Sequence, residues 1–132
     1  SGAFEKYFQE VEHNKLLNII QIEHVKGVEN LSSILETGIV DGVFIGPYDL
    51  SCSIGCPGQF EDPAFQFLLS EIHDACESYQ IGVGIHLVEP DPTELKRLIC
   101  KDQYDFIAYS VDFRIIENSA AQATSLIKGN SR

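Results

Sequence analysis

Two periods alternate in the spacing of apolar residues along this chain, and they outline a fold before any motif is considered. Phe4, Tyr7, Phe8 and Val11 share one stripe of a helix from about Ala3 to His13. Leu16 to Glu23, rich in isoleucine and too short for another helix, reads as a first strand. The helical period returns at Val28, Leu31, Ile34 and Leu35 until Gly38 stops it. Gly42 to Ile45 is a second strand, ended by the Gly46-Pro47 turn signal and followed by a loop from Asp49 to Glu61. Asp62-Pro63 then puts a capping carboxylate before a proline at the first helical position. That pair opens a long amphipathic helix marked by Phe65, Leu68, Leu69, Ile72, Cys76 and Tyr79. Ile81 to Val88 is the third strand, and Asp91-Pro92 repeats the cap for a helix carrying Leu95, Leu98 and Ile99. Tyr104 to Val111 is the fourth strand, followed by a helix to about Ile127 and a polar tail from Gly129 to Arg132.

The strands are apolar on both faces and alternate with helices, which predicts an α/β fold with a parallel sheet. No GxGxxG or GxxxxGK[ST] opens a helix, so a dinucleotide or P-loop site is not expected. Two architectures stay open: a doubly wound sheet of flavodoxin type, or four of the eight units of a (β/α)8 barrel.

A length of 132 residues fits a single domain, 1–132. Nine Lys+Arg against twenty Asp+Glu give a net charge of −11 with no clustering of the cations, which disfavours nucleic acid and anionic membranes as partners. The apolar runs are far shorter than the ~20 residues of a membrane span, and a cytoplasmic location is expected. Cys52, Cys56, Cys76 and Cys100 lack zinc spacing and read as reduced thiols. Cys76 and Cys100 are expected in the core and Cys52 and Cys56 in a loop.

Candidate chemistry sits at strand ends, where α/β enzymes build their sites. Alternation along the first strand sends Ile19, Gln21 and Glu23 to one face and Ile20 with Ile22 to the other. The second strand runs into Ile45-Gly46-Pro47-Tyr48-Asp49-Leu50-Ser51, whose glycine permits close approach of a small molecule. Glu23 could simply leave the core at its strand terminus, and Asp49 could be only the N-cap of a short turn beginning at Leu50. Taken together, the two carboxylates stand at the tops of adjacent strands, placed to share a hard cation such as Mg2+.

Gln21-Ile22-Glu23-His24, Gly27-Val28-Glu29-Asn30-Leu31, Val40 to Ser51 and Pro57-Gly58-Gln59-Phe60 resemble the HpcH/HpaI aldolase family. The likeness continues through Gly84-Ile85-His86 and Phe106 to Asp112, so it covers nearly the whole chain. The resemblance implies strands five to eight of a (β/α)8 barrel in a metal-dependent pyruvate aldolase. Such a lyase cleaves 4-hydroxy-2-oxo acids to pyruvate and an aldehyde. It further implies that Glu23 and Asp49 bind the divalent metal ion, Mg2+ or Mn2+. Gly46, Pro47 and Tyr48 would line the pyruvate pocket, backbone N–H groups near Tyr48 and Asp49 would hold the carboxylate, and Gln21 would either contact the metal or support the residues that do. Tyr48 replaces the small residue common in the family, which narrows the pocket.

The family's catalytic histidine and pyruvate-binding arginine belong to the other half of the barrel, so no catalytic residue is assigned in this chain. His24 is expected to face away from the site, His86 to be a packing residue at its strand end, and His13 and His73 to lie on helices without a motif. Arg97 and Arg114 lie outside the family's arginine context. A half-barrel would bare an inner face holding Ile19, two of Gly42 to Ile45, Val83 or Ile85, and Phe106 or Ile107. A homo-oligomer or a complementary N-terminal half is therefore expected to cover it. Two other readings remain: an inactive aldolase homologue serving as an oligomeric binding or structural module, and a flavodoxin-like response domain, although the acidic phosphoacceptor cluster of the latter is missing.

Overall fold

The computed structural model describes residues 17–102 and 104–129. The stripe of Phe4 to Val11 and the end of the polar tail lie outside them. Strands β1 (Ile19–Ile22), β2 (Gly42–Ile45), β3 (Gly82–Leu87) and β4 (Phe106–Tyr109) form one parallel sheet in the order β1-β2-β3-β4. Each strand thus lies beside its neighbour in sequence. A flavodoxin-type sheet reverses direction after its first strand and carries helices on both faces; this sheet does neither among the described residues.

The connections carry α1 (Val25–Glu29), α2 (Leu31–Leu35), α3 (Pro47–Ser53), α4 (Pro63–Tyr79) and α5 (Pro92–Cys100), and α6 (Asp112–Gly129) follows β4. Both Asp-Pro caps form as expected. The Asp62 carboxylate accepts from the Ala64 N–H at 2.8 Å, and that of Asp91 from the Thr93 N–H at 2.8 Å and the Glu94 N–H at 3.3 Å. Ile22, Val43, Ile45, Val83 and Ile85 point to the helices and form the core with Leu31, Leu35, Leu50, Phe65, Ile72, Cys76 and Leu98. α4 packs against α1, α2 and β3, which places its buried Phe65, Ile72 and Cys76 over the sheet.

Several expectations need correction. The helix around Val28 to Leu35 is broken at Asn30, whose side-chain amide donates to the Lys26 carbonyl at 2.7 Å and so competes with the helical ladder. The loop expected from Asp49 is helical to Ser53, because Pro47 starts α3 with the φ a first turn needs. Cys100 is exposed at the end of α5, where Leu98 takes the core position. Cys56 is buried instead, tucked under α3 by Gly55 at φ +81° and by its own N–H bond to the Ser51 carbonyl at 3.0 Å. Val83 and Ile85 belong to the helical side, so the opposite face is far less aliphatic than expected. Its apolar members are Ile19, Phe44 and Phe106 among Gly42, Gly82 and Gly84.

Two contacts organise that face. Phe106 lies flat across Gly84, where an added Cβ would collide with its ring, and stacks with Phe44 at a centroid distance of 6.1 Å. At the amino ends of β1 and β2, a clamp joins the two strands. The Asn18 N–H donates to the Asp41 carboxylate at 2.7 Å, the Asp41 N–H to the Asn18 carbonyl at 2.9 Å, and the Asn18 amide to the Ile39 carbonyl at 2.8 Å.

The contact between Phe106 and Gly84 generates one prediction. Gly84→Ala should destabilise the fold by about 1–3 kcal/mol through overpacking, measured by urea unfolding. In a Phe106→Ala background the same change should cost much less, because the ring it displaces is gone.

A second prediction concerns His73 on α4, half-buried against Tyr104 at a ring distance of 5.0 Å. Burial lowers the pKa of His73 from the ordinary 6.5, against the opposing charges of Asp102, Asp105 and Asp74. The unfolded chain therefore binds more protons at this position, and the stability contribution is complete above the unfolded value and lost as pH falls below it. The unfolding free energy should rise between about pH 5 and pH 7.5, and His73→Gln should flatten that slope.

Candidate active site

The carboxyl ends of β1 and β2 bring Gln21, Glu23 and Gly46 into contact. β1 alternates as its sequence requires: Ile22 is buried on the helical side, and Gln21 and Glu23 are exposed on the other. The Gln21 amide donates to Glu23 Oε2 at 2.9 Å, which fixes one carboxylate oxygen and leaves the second outside that bond. Gly46 extends the ladder, its N–H bonding the Ile22 carbonyl at 3.1 Å. A Cβ on Gly46 would lie 2.8 Å from Gln21 Nε2, 3.1 Å from Glu23 Cβ and 3.4 Å from Glu23 Oε2. The missing side chain is what lets the amide and carboxylate lie over β2.

α3 begins immediately after Gly46. Pro47 is its buried first residue, and Asp49 is exposed in its first turn. Asp49 is therefore inside the helix, and the reading of it as N-cap of a turn starting at Leu50 does not hold; Gly46 occupies the cap position. The first helical bond runs from the Leu50 N–H to the Gly46 carbonyl at 3.0 Å, so the N–H groups of Tyr48 and Asp49 stand outside the ladder. The Tyr48 ring, 41% exposed, packs edge-on against Phe60 at 5.0 Å and turns toward the 56–60 segment.

His24 leaves the site as expected: its Nδ1 accepts from the Lys26 N–H at 3.1 Å and caps α1. His86 has a larger role in the structure than packing. It lies on the same face of the sheet as Phe44, with ring centroids 6.2 Å apart, and its Nε2 is 3.3 Å from the Ser110 carbonyl. Ser110 is buried and has φ +58°, a conformation that strains a residue with a Cβ. Its hydroxyl donates to the Val88 carbonyl at 2.8 Å and its N–H to the Leu87 carbonyl at 2.6 Å. The sequence places His86 only at its strand end; its face and its Ser110 partner become visible with the register of β3 and β4.

Arg97 is held by Glu94 at 2.6 Å and Asp102 at 2.7 Å, and Arg114 lies near Glu89 at 3.6 Å and Glu117 at 3.5 Å. Each is thus engaged by two carboxylates away from Glu23. A cavity of about 540 Å³ opens between α4 and α5. It touches Pro47, Tyr48 and His86 but is otherwise lined from the helical side, by Phe65, Leu69 and Leu98 among others, and does not include Gln21, Glu23 or Gly46. Among the described residues no group of three or more His, Cys, Asp or Glu side chains is gathered to hold a metal ion, and no helix is long and apolar enough to cross a membrane.

Comparison with known proteins bears on the family and the fold. The family model described as HpcH/HpaI aldolase/citrate lyase matches residues 3–118. The chain is 31% identical over 128 residues to the hydroxypyruvate/pyruvate aldolase of Chromohalobacter salexigens, covering 97% of this chain and 49% of that protein. It is 30% identical over 130 residues to the 2-keto-3-deoxy-L-rhamnonate aldolase of Klebsiella pneumoniae, covering 98% and 47%. The crystal structure of the HpcH/HpaI aldolase from Desulfitobacterium hafniense superposes with a TM-score of 0.80 at 27% identity, over 95% of this chain and 47% of that one. The chain thus spans about half the length of the relatives it matches. Its four sequentially ordered strand-helix units correspond to about half of their TIM barrels. By sequence and by fold, the chain belongs to the HpcH/HpaI aldolase/citrate lyase family.

Proposed function

We propose that this chain supplies the part of an aldolase site that holds pyruvate and a divalent cation, in a lyase cleaving 4-hydroxy-2-oxo acids to pyruvate and an aldehyde. The observation that carries this reading is the Gln21–Glu23 pair lying over Gly46 at the carboxyl ends of two adjacent parallel strands. Ligands in such sheets sit at that end.

The donor set fits Mg2+ or Mn2+. Glu23 and Asp49 offer hard oxygen ligands, and such ions take one or two carboxylates while leaving other positions to water and substrate. When bound, the ion would supply charge stabilisation for the negative oxo oxygen that develops as the carbon–carbon bond breaks. The chain's own residues do the rest of what this half contributes. Gln21 fixes the rotamer of Glu23 through its amide. Gly46 and Pro47 give a floor close to the backbone. The N–H groups of Tyr48 and Asp49, outside the helical ladder, would donate to the carboxylate of pyruvate. Tyr48, braced by Phe60, limits the size of what lies above the floor.

The chain is further proposed to associate, with a second copy or with a complementary half of the barrel. Ile19 is 46% exposed on the inner face, and Phe113 and Ile116 on α6 are 63% and 68% exposed. Among the described residues β1 and β4 are also the outer strands of the sheet, and open strand edges are templates for pairing.

Titration calorimetry tests the site. Mn2+ should bind the wild-type chain, and pyruvate should bind in its presence. Asp49→Ala and Glu23→Gln should weaken Mn2+ binding by more than the roughly 10- to 100-fold expected from losing an outer partner, the range expected for Gln21→Ala. Equal binding by wild type and Asp49→Ala would reject the site and favour an inactive, oligomeric binding module. Light scattering at micromolar concentration tests association: the expected mass exceeds the 14.7 kDa of one chain, and a monodisperse monomer would reject self-association.

A further inference from the structure

We propose that His86 is a substrate-contacting residue whose Nδ1 accepts a hydrogen bond from the hydroxyl on C4 of the 4-hydroxy-2-oxo acid. This inference rests on the preceding reading of the Gly46 floor as the pyruvate site.

The placement follows from the register. Ile22, Ile45, Ile85 and Ile107 pair across the sheet and face the helices or the core edge. The next position on each strand therefore faces the other way, and that row reads Glu23, Gly46, His86 and Ala108. The pairing of His86 with Ala108 and the Gly46 N–H bond to Ile22 show that the ladder persists this far. Adjacent strands stand about 4.8 Å apart, so a carboxylate and an imidazole flank the glycine floor at one strand's spacing on either side. Pyruvate held over Gly46 lies between them, and the two further atoms that lead from its oxo carbon to C4 carry the hydroxyl toward β3.

The tautomer of the neutral ring also follows from its partner. A carbonyl only accepts, so the Ser110 oxygen 3.3 Å from Nε2 selects the tautomer with the proton on Nε2. Nδ1 then has a free lone pair. The left-handed backbone of Ser110, stabilised by its bonds to Leu87 and Val88, is what aims that carbonyl at the ring. A residue that serves only to fill space needs no such orienting partner, and the adjacent Ala108 is exposed and small, leaving the space above it open.

The test uses the full chain with Mg2+ and two probes, 4-hydroxy-2-oxobutanoate and 2-oxobutanoate, which differ by the hydroxyl. Imidazole nitrogen resonances and the Gly46 amide are followed by NMR. The expected result is that both probes shift the Gly46 amide but only the hydroxylated one shifts His86 Nδ1. His86→Phe should then lose about three- to tenfold in affinity for the hydroxylated probe alone, the worth of one neutral hydrogen bond. If both probes shift Gly46 and neither moves Nδ1, the inference is overturned while the pyruvate site stands. If neither shifts Gly46, the pyruvate site is rejected and the role of His86 with it. Because the wild-type spectra decide the matter, failure of His86→Phe to fold does not protect the proposal.

Discussion

Side chains on one face of the sheet have room only because others are missing. Phe106 occupies the space a Cβ of Gly84 would fill, and the Gln21–Glu23 pair overlies the bare backbone of Gly46. Both glycines have ordinary negative φ values, so neither is present for backbone freedom; each is there for close approach. The stack of Phe106 on Phe44 makes an apolar floor at mid-sheet, and the polar row of Glu23 and His86 stands one step further along the strands. Loss of either gap would displace the side chains around the site before it touched the helical core.

The other face obeys different physics. Five aliphatic residues from three strands are less than a tenth exposed, and the helices over them begin at fixed points set by two Asp-Pro caps. Burial of this kind is roughly proportional to area and needs no particular polar partner. The sheet can thus be held from one side while the opposite face remains free for polar groups that would be costly to bury. That division is what parallel strand-helix units offer.

Much of this was readable in the chain. The bounds of β2, the caps at Asp62 and Asp91, and the parity that turns Gln21 and Glu23 away from the core all follow from local spacing. What could not be read depends on contacts between segments. Val83 or Ile85 was expected on the inner face because strand three is apolar at both parities; only its register with Phe44 and Phe106 shows that Gly82 and Gly84 are the inward residues. Cys100 has the composition of a core residue but occupies the wrong position on α5, and Cys56 sits in a segment that looks like surface until Gly55 turns it under α3. The attachment of His86 to Ser110 joins residues 24 apart through a backbone conformation with no sequence signature.

The Asn18–Asp41 clamp lies at the end of β1 and β2 opposite Glu23, yet it bears on the fidelity of that distant end. β1 has four residues, and sliding it by a single position would exchange its two faces. Ile20 and Ile22 would then meet water while Gln21 and Glu23 entered the apolar layer, where an unpaired carboxylate is expensive. Two short strands alone present few hydrogen bonds that tell one alignment from its neighbour. A joint of three hydrogen bonds from Asn18 to the 39–41 segment can form in one alignment only, so it acts as an index mark: chemistry at one pole is kept in frame by an asparagine at the other.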